Sequence, residues 1–288
     1  MTSPMGDKIS VIIVTHNSLP VLSDCLGSLK AGFNGCRHEI INVDNGSADG
    51  SRATMQTYFP TAKIVAHQRN LGFGAACNAG AREASGDYLL FLNPDVIVDP
   101  DAIEQLIAAA ESRKDAGVVV GRMRFPSGAF QATCRRLPGL GNMLLSRGSI
   151  LSRFLRNGAA YTLPDFETIS PVPVVSGTMM MIRRDVFDAA GGFDQRFFMF
   201  MEDVDLCLRL TRQGYTNYFV PFAGGVHLWG RGSNAGKFAR NWHHHWAVWK
   251  YFRKHRPGLF TFVALPFALA LNLLLVTLLP VSQPAGRR

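Results

Sequence analysis

Short apolar runs that break into polar or acidic turns, with amphipathic helices between them, restrict this chain to very few folds. Residues 9–14 (ISVIIV) read as a buried strand ending in the polar turn Thr15-His16-Asn17-Ser18. An amphipathic helix follows over residues 19–30, with Leu22, Leu26 and Leu29 on one stripe. A second strand, 39–43, stops at Asp44-Asn45-Gly46-Ser47. Strand, helix and strand in that order open a βαβ unit and a parallel sheet. Further strands are expected at 62–66, 88–92 and 118–120, with a helix from the NLGFGAACNAG segment (70–80) to about residue 84. A helix over 100–113 is expected to be capped by Asp99 and opened by Pro100. Residues 122–170 lose periodicity and read as long loops with short helices. Residues 172–182 restore a strand pattern, Asp185 caps a short helix stopped by Gly191-Gly192, and 203–213 is a helix ended by Gly214. The class is α/β.

With 288 residues and 47% hydrophobic content, the chain can bury one sizeable core and one appendage. The expected division is 1–235, with halves meeting at 115/116, followed by 236–288. Five scattered cysteines without a C-x-x-C pair speak against a disulfide framework or structural zinc and for a reducing, cytosolic setting. The apolar run at 9–14 is too short for a signal-peptide core, so export is not expected. The net charge of +9 is unevenly spread: residues 206–288 hold 11 Lys and Arg and no Asp or Glu. Such a tail suits nucleic acid or an anionic membrane surface; running into a long apolar stretch, it suits the membrane better, and no nucleic-acid partner is expected.

Open α/β sheets bind ligands at the carboxyl ends of their strands. Two acidic patches occupy such positions, LLFLNPDVIVDP (89–100) and FFMFMEDVDLCLRL (197–210). In the first, the buried run fixes Asp95 at a strand end, where a carboxylate with a free face suits Mg²⁺ or Mn²⁺ bridging two phosphates. In the second, Glu202-Asp203 begins a helix whose dipole keeps a carboxylate ionised, as a general base facing an alcohol requires; Asp203 also suits helix capping. Asp205 pairs with Arg209 four residues on. Asp44 can accept a hydrogen bond from a base or ribose, or simply close an Asx-turn, and Thr15 and Asn17 have the same two readings. Gly72 and Gly74 permit close backbone approach to a ligand. His227 suits a further metal ligand or a packed histidine, and Arg231 and Ser233 can hold a leaving phosphate. The triplet His243 to His245 makes a poor metal site, because consecutive helical residues diverge, and reads as an interfacial face.

Taken together, VIIVTHNS, VDNGSADGS, NLGFGAACNAG, LLFLNPDV, SGTMMMIRRDVFDAAGGFD, FFMFMEDVDLCLRL and the His227 segment resemble family 2 glycosyltransferases of the GT-A fold, in particular the rhamnosyltransferase-like branch of cell-wall and surface-polysaccharide assembly. The resemblance covers about residues 8–235. It implies a mixed, mostly parallel sheet flanked by helices and an inverting, metal-dependent transfer of a sugar from a nucleotide diphosphate donor to a lipid-linked or polysaccharide acceptor. It assigns donor binding to Thr15, Asn17, Asp44, Asn70, Gly72, Asn93, Asp95 and Arg231, with Asp44 on the nucleobase. Asn93 and Asp95 stand where the family has Asp-x-Asp; with Asn first, Asp95 carries most of the Mg²⁺ or Mn²⁺, aided by His227. Asp203 is the implied catalytic base, with Glu202 and Gly177 supporting the acceptor side. dTDP-rhamnose is the first choice of donor, before UDP-galactofuranose, a UDP-hexose or a UDP-N-acetylhexosamine. Arg122, Arg124, Arg135 and Arg136 either meet a diphosphate headgroup or lie on solvated surface. Two other classes stand beside this one. A nucleotidyltransferase needs a basic glycine-rich loop that THNSLPVLSD lacks, and an inactive membrane scaffold is disfavoured by the intact Asp44, Asp95, Asp203 and His227.

In the tail, Trp242, Trp246 and Trp249 recur on one helical stripe before Lys250, Arg253, Lys254 and Arg256, a composition suited to lipid headgroups. Residues 259–279 are overwhelmingly apolar, and as one helix they reach about 30 Å, enough to cross a bilayer, with a kink at Pro266. A helix buried on the main domain or lying in the interface is the other reading. The expected location is the cytoplasmic face of the cell membrane.

Overall fold

The computed structural model describes residues 8–33, 35–139, 161–228 and 236–278. Its strands are β1 (Ile9–Thr15), β2 (His38–Asn45), β3 (Lys63–His67), β4 (Tyr88–Leu92), β5 (Val96–Val98), β6 (Ala116–Arg124), β7 (Phe130–Gln131), β8 (Cys134–Arg135), β9 (Ser170–Pro171), β10 (Val174–Val175), β11 (Met179–Arg183) and β12 (Thr216–His227). Its helices are α1 (Leu19–Ala31), α2 (Ser51–Tyr58), α3 (Phe73–Glu83), α4 (Ala102–Glu111), α5 (Arg184–Ala189), α6 (Glu202–Arg212), α7 (Lys237–His255), α8 (Leu259–Phe262) and α9 (Ala264–Leu278).

One ten-stranded sheet has the order β3-β2-β1-β4-β11-β6-β12-β5, with β7 on β6 and β9 on β12, while β8 and β10 form a separate pair. The run β3-β2-β1-β4 is wholly parallel. β11 lies antiparallel between β4 and β6, and β12 is parallel to β6. Side chains alternate between two cores with the strand period of two. Ile12, Leu89 and Phe91 face α3, α6 and α7, whereas Ile9, Val11, Ile13, Leu90 and Leu92 face α1, α2 and α4. Covered on both faces, β1 and β4 read in sequence as continuous apolar runs. On α1, Leu22, Leu26 and Leu29 are fully buried, each stabilising the layer by about 1.5–3 kcal/mol.

Several boundaries differ from the sequence reading for identifiable reasons. α4 begins at Ala102, and Asp99 does not cap it: its carboxylate accepts from Arg124 at 2.7 Å. Asp185 lies inside α5, one residue beyond its first, where it takes Arg183 and its neighbour's N–H. The 172–182 pattern splits into β10 and β11 around Ser176-Gly177-Thr178. β12 runs from Thr216 to His227, because Gly224 permits an approach that a side chain forbids: an added Cβ there would lie 1.9 Å from the Arg122 carbonyl oxygen. Part of the loop region expected at 122–170, residues 140–160, lies outside the described residues.

The tail packs against the body. Ala247, Val248, Tyr251 and Phe252 of α7 join the same core as Phe91 and Val204. Wholly buried Asp205 of α6 forms the expected pair with Arg209 (2.8 Å) and also accepts from Lys254 (2.6 Å) and His255 (2.7 Å) of α7. The apolar run at 259–279, of which residue 279 lies outside the described part, is two helices rather than one. The break falls at Val263, three residues before Pro266, whose missing N–H would otherwise have bonded the Phe262 carbonyl. Among the described residues no helix is long and apolar enough to cross a membrane. α9 turns back onto α7, where Asn272 donates to His245 Nε2 at 2.9 Å. Its outer face leaves Phe267, Leu271, Leu274 and Leu278 exposed, beside Leu259, Phe260, Phe262 and Val263 and, on α7, Phe238, Trp242 and Trp246.

Candidate active site

The strand order reverses beside β1: the chain goes outward to β2 and β3, then returns to β4 on the other side. Such a switch point opens a crevice at the carboxyl ends of the strands. A cavity of about 490 Å³ lies there, lined by Val14, His16 and Ser18 after β1, Asn45 at the end of β2, Asn93, Pro94 and Asp95 after β4, and Glu202 and Asp203 at the start of α6.

Asn45 ties the donor-side turns together. Its Nδ2 donates to Asn70 Oδ1 (2.9 Å), and its Oδ1 accepts from the Leu71 N–H (2.9 Å). Asn70 Oδ1 also accepts from the Gly72 N–H at 2.9 Å. Gly72 has φ +90°, and a Cβ there would meet the Phe198 carbonyl oxygen at 2.3 Å, so only glycine fits. The Phe73 N–H donates to that same oxygen at 3.0 Å, which docks residues 197–201 on the start of α3. Phe200 and Met201, both at φ +68°, then turn the chain into α6. Non-glycine residues pay for left-handed backbone only where surrounding structure enforces it, and such strain clusters at functional sites.

Asp203 is buried, and its Oδ2 accepts from the Gly177 N–H at 3.1 Å, its Oδ1 from the Val204 N–H at 2.8 Å. Each oxygen keeps a lone pair for a substrate proton. Beside it, Glu202 is buried with Oε2 lacking a hydrogen-bond partner; burial first, then the Asp203 charge, push its carboxyl up to about 8. Across the cavity, Asp95 Oδ1 stands 3.3 Å from His227 Nε2, and His227 Nδ1 is 3.0 Å from Gln131 Oε1. Among the described residues no three His, Cys, Asp or Glu side chains form a metal cluster.

Of the residues expected at the site, Asn70, Gly72, Asn93, Asp95, Gly177, Glu202, Asp203 and His227 line this cavity. Thr15, Asn17 and Asp44 are not among its lining residues. The Thr15 hydroxyl accepts from Asn42, and Asn17 Oδ1 accepts from the Ala48 N–H. Asp44 closes the Asx-turn, accepting from the Ser47 N–H (3.0 Å), and binds Arg52 (2.6 Å); burial raises its pKa, but these bonds outweigh it and hold the carboxyl below its usual range. Arg231 and Ser233 lie outside the described residues. Arg122 and Arg124 pair with Asp165 and Asp99, Arg136 is exposed, and Arg135 alone of the four lines the cavity. The sequence reading left His16 in a polar turn and His244 in an interfacial face, and did not single out Asn45, at a strand exit, or Arg240, which reaches the cavity with His244 from α7.

The family model described as "Glycosyl transferase family 2" matches residues 10–191. The chain is 33% identical over 237 residues to the N-acetylglucosaminyl-diphospho-decaprenol L-rhamnosyltransferase of Mycobacterium tuberculosis, covering 77% of this chain and 76% of that one. It is 28% identical over 228 residues to the rhamnosyltransferase WbbL of Escherichia coli, covering 76% and 83%. Among solved structures it is similar to the mannosyltransferase PcManGT of Pyrobaculum calidifontis, in complex with GDP-Man and Mn²⁺, with a TM-score of 0.60 at 18% identity over 92% of this chain and 73% of that one. The UDP complex of S. aureus TarS 1–349 gives a TM-score of 0.55 at 14% identity, covering 89% and 75%.

Proposed function

The chain belongs to glycosyl transferase family 2, as a rhamnosyltransferase-like glycosyltransferase, and on that premise we propose an inverting transfer of L-rhamnose from dTDP-rhamnose to a hydroxyl of a lipid-linked acceptor in cell-wall or surface-glycan synthesis. The observation that carries this reading is the shared cavity: Asp95 after β4 and Asp203 at the start of α6 line one space from separate elements. In it, the acceptor oxygen attacks the anomeric carbon from the face opposite the diphosphate. The C–O bond forms as the bond to phosphate breaks, the nucleoside diphosphate leaves with the electron pair, and Asp203 takes the hydroxyl proton. Gly177 and the start of α6 hold the carboxylate in place for this step.

The residues opposite fit a divalent cation. A buried carboxylate faces an imidazole nitrogen, and Gln131 stands at the other ring nitrogen, the outer contact typical of a ligating histidine. Asp95 and His227 would hold Mn²⁺ or Mg²⁺, with donor phosphates completing the set. When bound, such an ion offsets charge on the leaving diphosphate.

The exposed apolar face of α7, α8 and α9 supports peripheral docking at the cytoplasmic membrane surface, where a lipid-linked acceptor resides. The relative in M. tuberculosis bears such an acceptor in its name. The test combines binding and turnover. Thermal stabilisation by a panel of nucleotide sugars with Mn²⁺ selects the donor, with dTDP-rhamnose expected. Asp203→Asn should bind that donor nearly as wild type does but lose about 10²–10⁴-fold in kcat. Comparable turnover by the variant removes Asp203 from its role.

A further inference from the structure

α7 belongs to the cavity as much as to the surface. Arg240 and His244, four residues apart on one helical face, both line it. Facing them are Arg135, at the end of β8, and Tyr161, whose hydroxyl Arg135 hydrogen-bonds. Elsewhere Arg122, Arg124 and Arg209 each sit against a carboxylate. Among the described residues, no ion pair is formed by Arg135 or Arg240. Of the acids lining the same cavity, Glu202 holds its proton up to about pH 8, and the Asp203 carboxylate accepts from the Gly177 and Val204 N–H groups rather than from either arginine. Burial lowers His244 to about 4, aided by His245 and Arg135, so it enters as a neutral ring with one N–H to give. Two forked guanidinium groups and an imidazole N–H in a half-enclosed space match the oxygens of a phosphate group.

Position selects which phosphate. In the proposed mechanism the donor diphosphate lies with Asp95 and His227, but the charge of Arg135 is felt by Glu202 and His244, and Tyr161 feels Asp203. The same helix carries Trp242 and Trp246, the exposed aromatic edge of the apolar face, on another side. A molecule with a lipid at one end and a reacting hydroxyl at the other, passing along α7, would bring its linking phosphates to this cluster. We infer that Arg135, Arg240 and His244 form a subsite for the diphosphate of a lipid-diphosphate-sugar acceptor, beside Asp203. The inference rests on the transferase reading above and adds the residues that hold the acceptor's phosphates.

The test compares two acceptors with the same sugar, a farnesyl diphosphate N-acetylglucosamine and the uncharged octyl N-acetylglucosaminide. Wild type should prefer the first in kcat/KM. Arg240→Gln and Arg135→Gln should each reduce that preference about tenfold to a hundredfold, through acceptor KM, as expected for a lost charge-assisted hydrogen bond. Arg240→Lys should recover part of it, and its melting temperature reports folding. An unchanged preference in both Gln variants overturns the subsite, as does a rise in donor KM instead, which would assign the arginines to the donor phosphates. Nucleotide-sugar hydrolysis with no transfer to either acceptor, even by wild type, overturns the transferase reading together with the subsite; transfer with an unaltered preference overturns the subsite alone.

Discussion

Replacing Gly72 with alanine should damage stability and turnover together. The new methyl group meets the Phe198 carbonyl oxygen at 2.3 Å and its Cα at 2.8 Å, where ordinary contact begins at 3.4 Å, so about 1 Å of movement is forced on backbone. That movement lengthens the bond from the Phe73 N–H to Phe198. Holding alanine at φ +90° costs about 1–2 kcal/mol, and losing the hydrogen bond adds about 0.5–1.5 kcal/mol, so Gly72→Ala should cost roughly 1.5–3.5 kcal/mol. Gly214 provides a positive-φ glycine without the clash: its φ is +91° and nothing lies within 4 Å of an added Cβ. Gly214→Ala should therefore cost only about 1–2 kcal/mol. Urea unfolding of both variants gives the difference. Because residues 197–201 lead directly into Glu202 and Asp203, Gly72→Ala should also lose on the order of 10²-fold in kcat, the typical penalty for misplacing a catalytic group by about 1 Å. Gly214→Ala should not. Equal stability costs and equal turnover in the two variants would refute the idea that this contact sets the position of Asp203.

Glu202 gives a pH signature. Burial, then Asp203, raise its carboxyl from 4.5 to about 8, so the native chain keeps a proton the unfolded chain has released. The stability it contributes is full below about pH 4.5 and is lost as pH rises through about 8. Glu202→Gln should therefore gain on wild type in urea unfolding between about pH 5 and 8, and an offset that ignores pH would contradict this. At the surface, Phe267→Glu with Leu271→Glu should reduce co-sedimentation with anionic phosphatidylglycerol vesicles while leaving the fold intact, since both side chains are exposed. Undiminished vesicle binding would rule out that face as the docking surface.

The parallel half of the sheet was legible because β1, β2 and β4 are covered on both sides and leave uninterrupted apolar runs. α2 left no such trace: only Ser51 and Met55 of its eight residues are buried, too few to make a period. The glycines of β12 carried no strand signal in sequence, although they serve close strand contact beside the irregularity between Val220 and Gly224. Asp95 and Asp203 were legible as carboxylates at element ends. Arg240 and His244 were hidden by a register that only packing decides; the four-residue spacing was the available signal, and it was absorbed into a surface reading of the histidine triplet. Hydropathy alone made one helix of residues 259–279, where a proline in the first turn of α9 divides it and tertiary packing folds it back.

The grip of Lys254 and His255 on Asp205 bears on how this tail can be inherited or edited. A chain cut before Lys237 would strand an interior anion with Arg209 alone and remove Tyr251 and Phe252 from the core they share with Phe91 and Val204. Losing one partner of an interior ion pair costs about 3–5 kcal/mol, a large share of the roughly 5–15 kcal/mol that keeps a typical domain folded. Tails grafted from one relative to another would thus have to bring cations placed to meet the anion two residues after Asp203, and the first cut that spares this contact falls after His255.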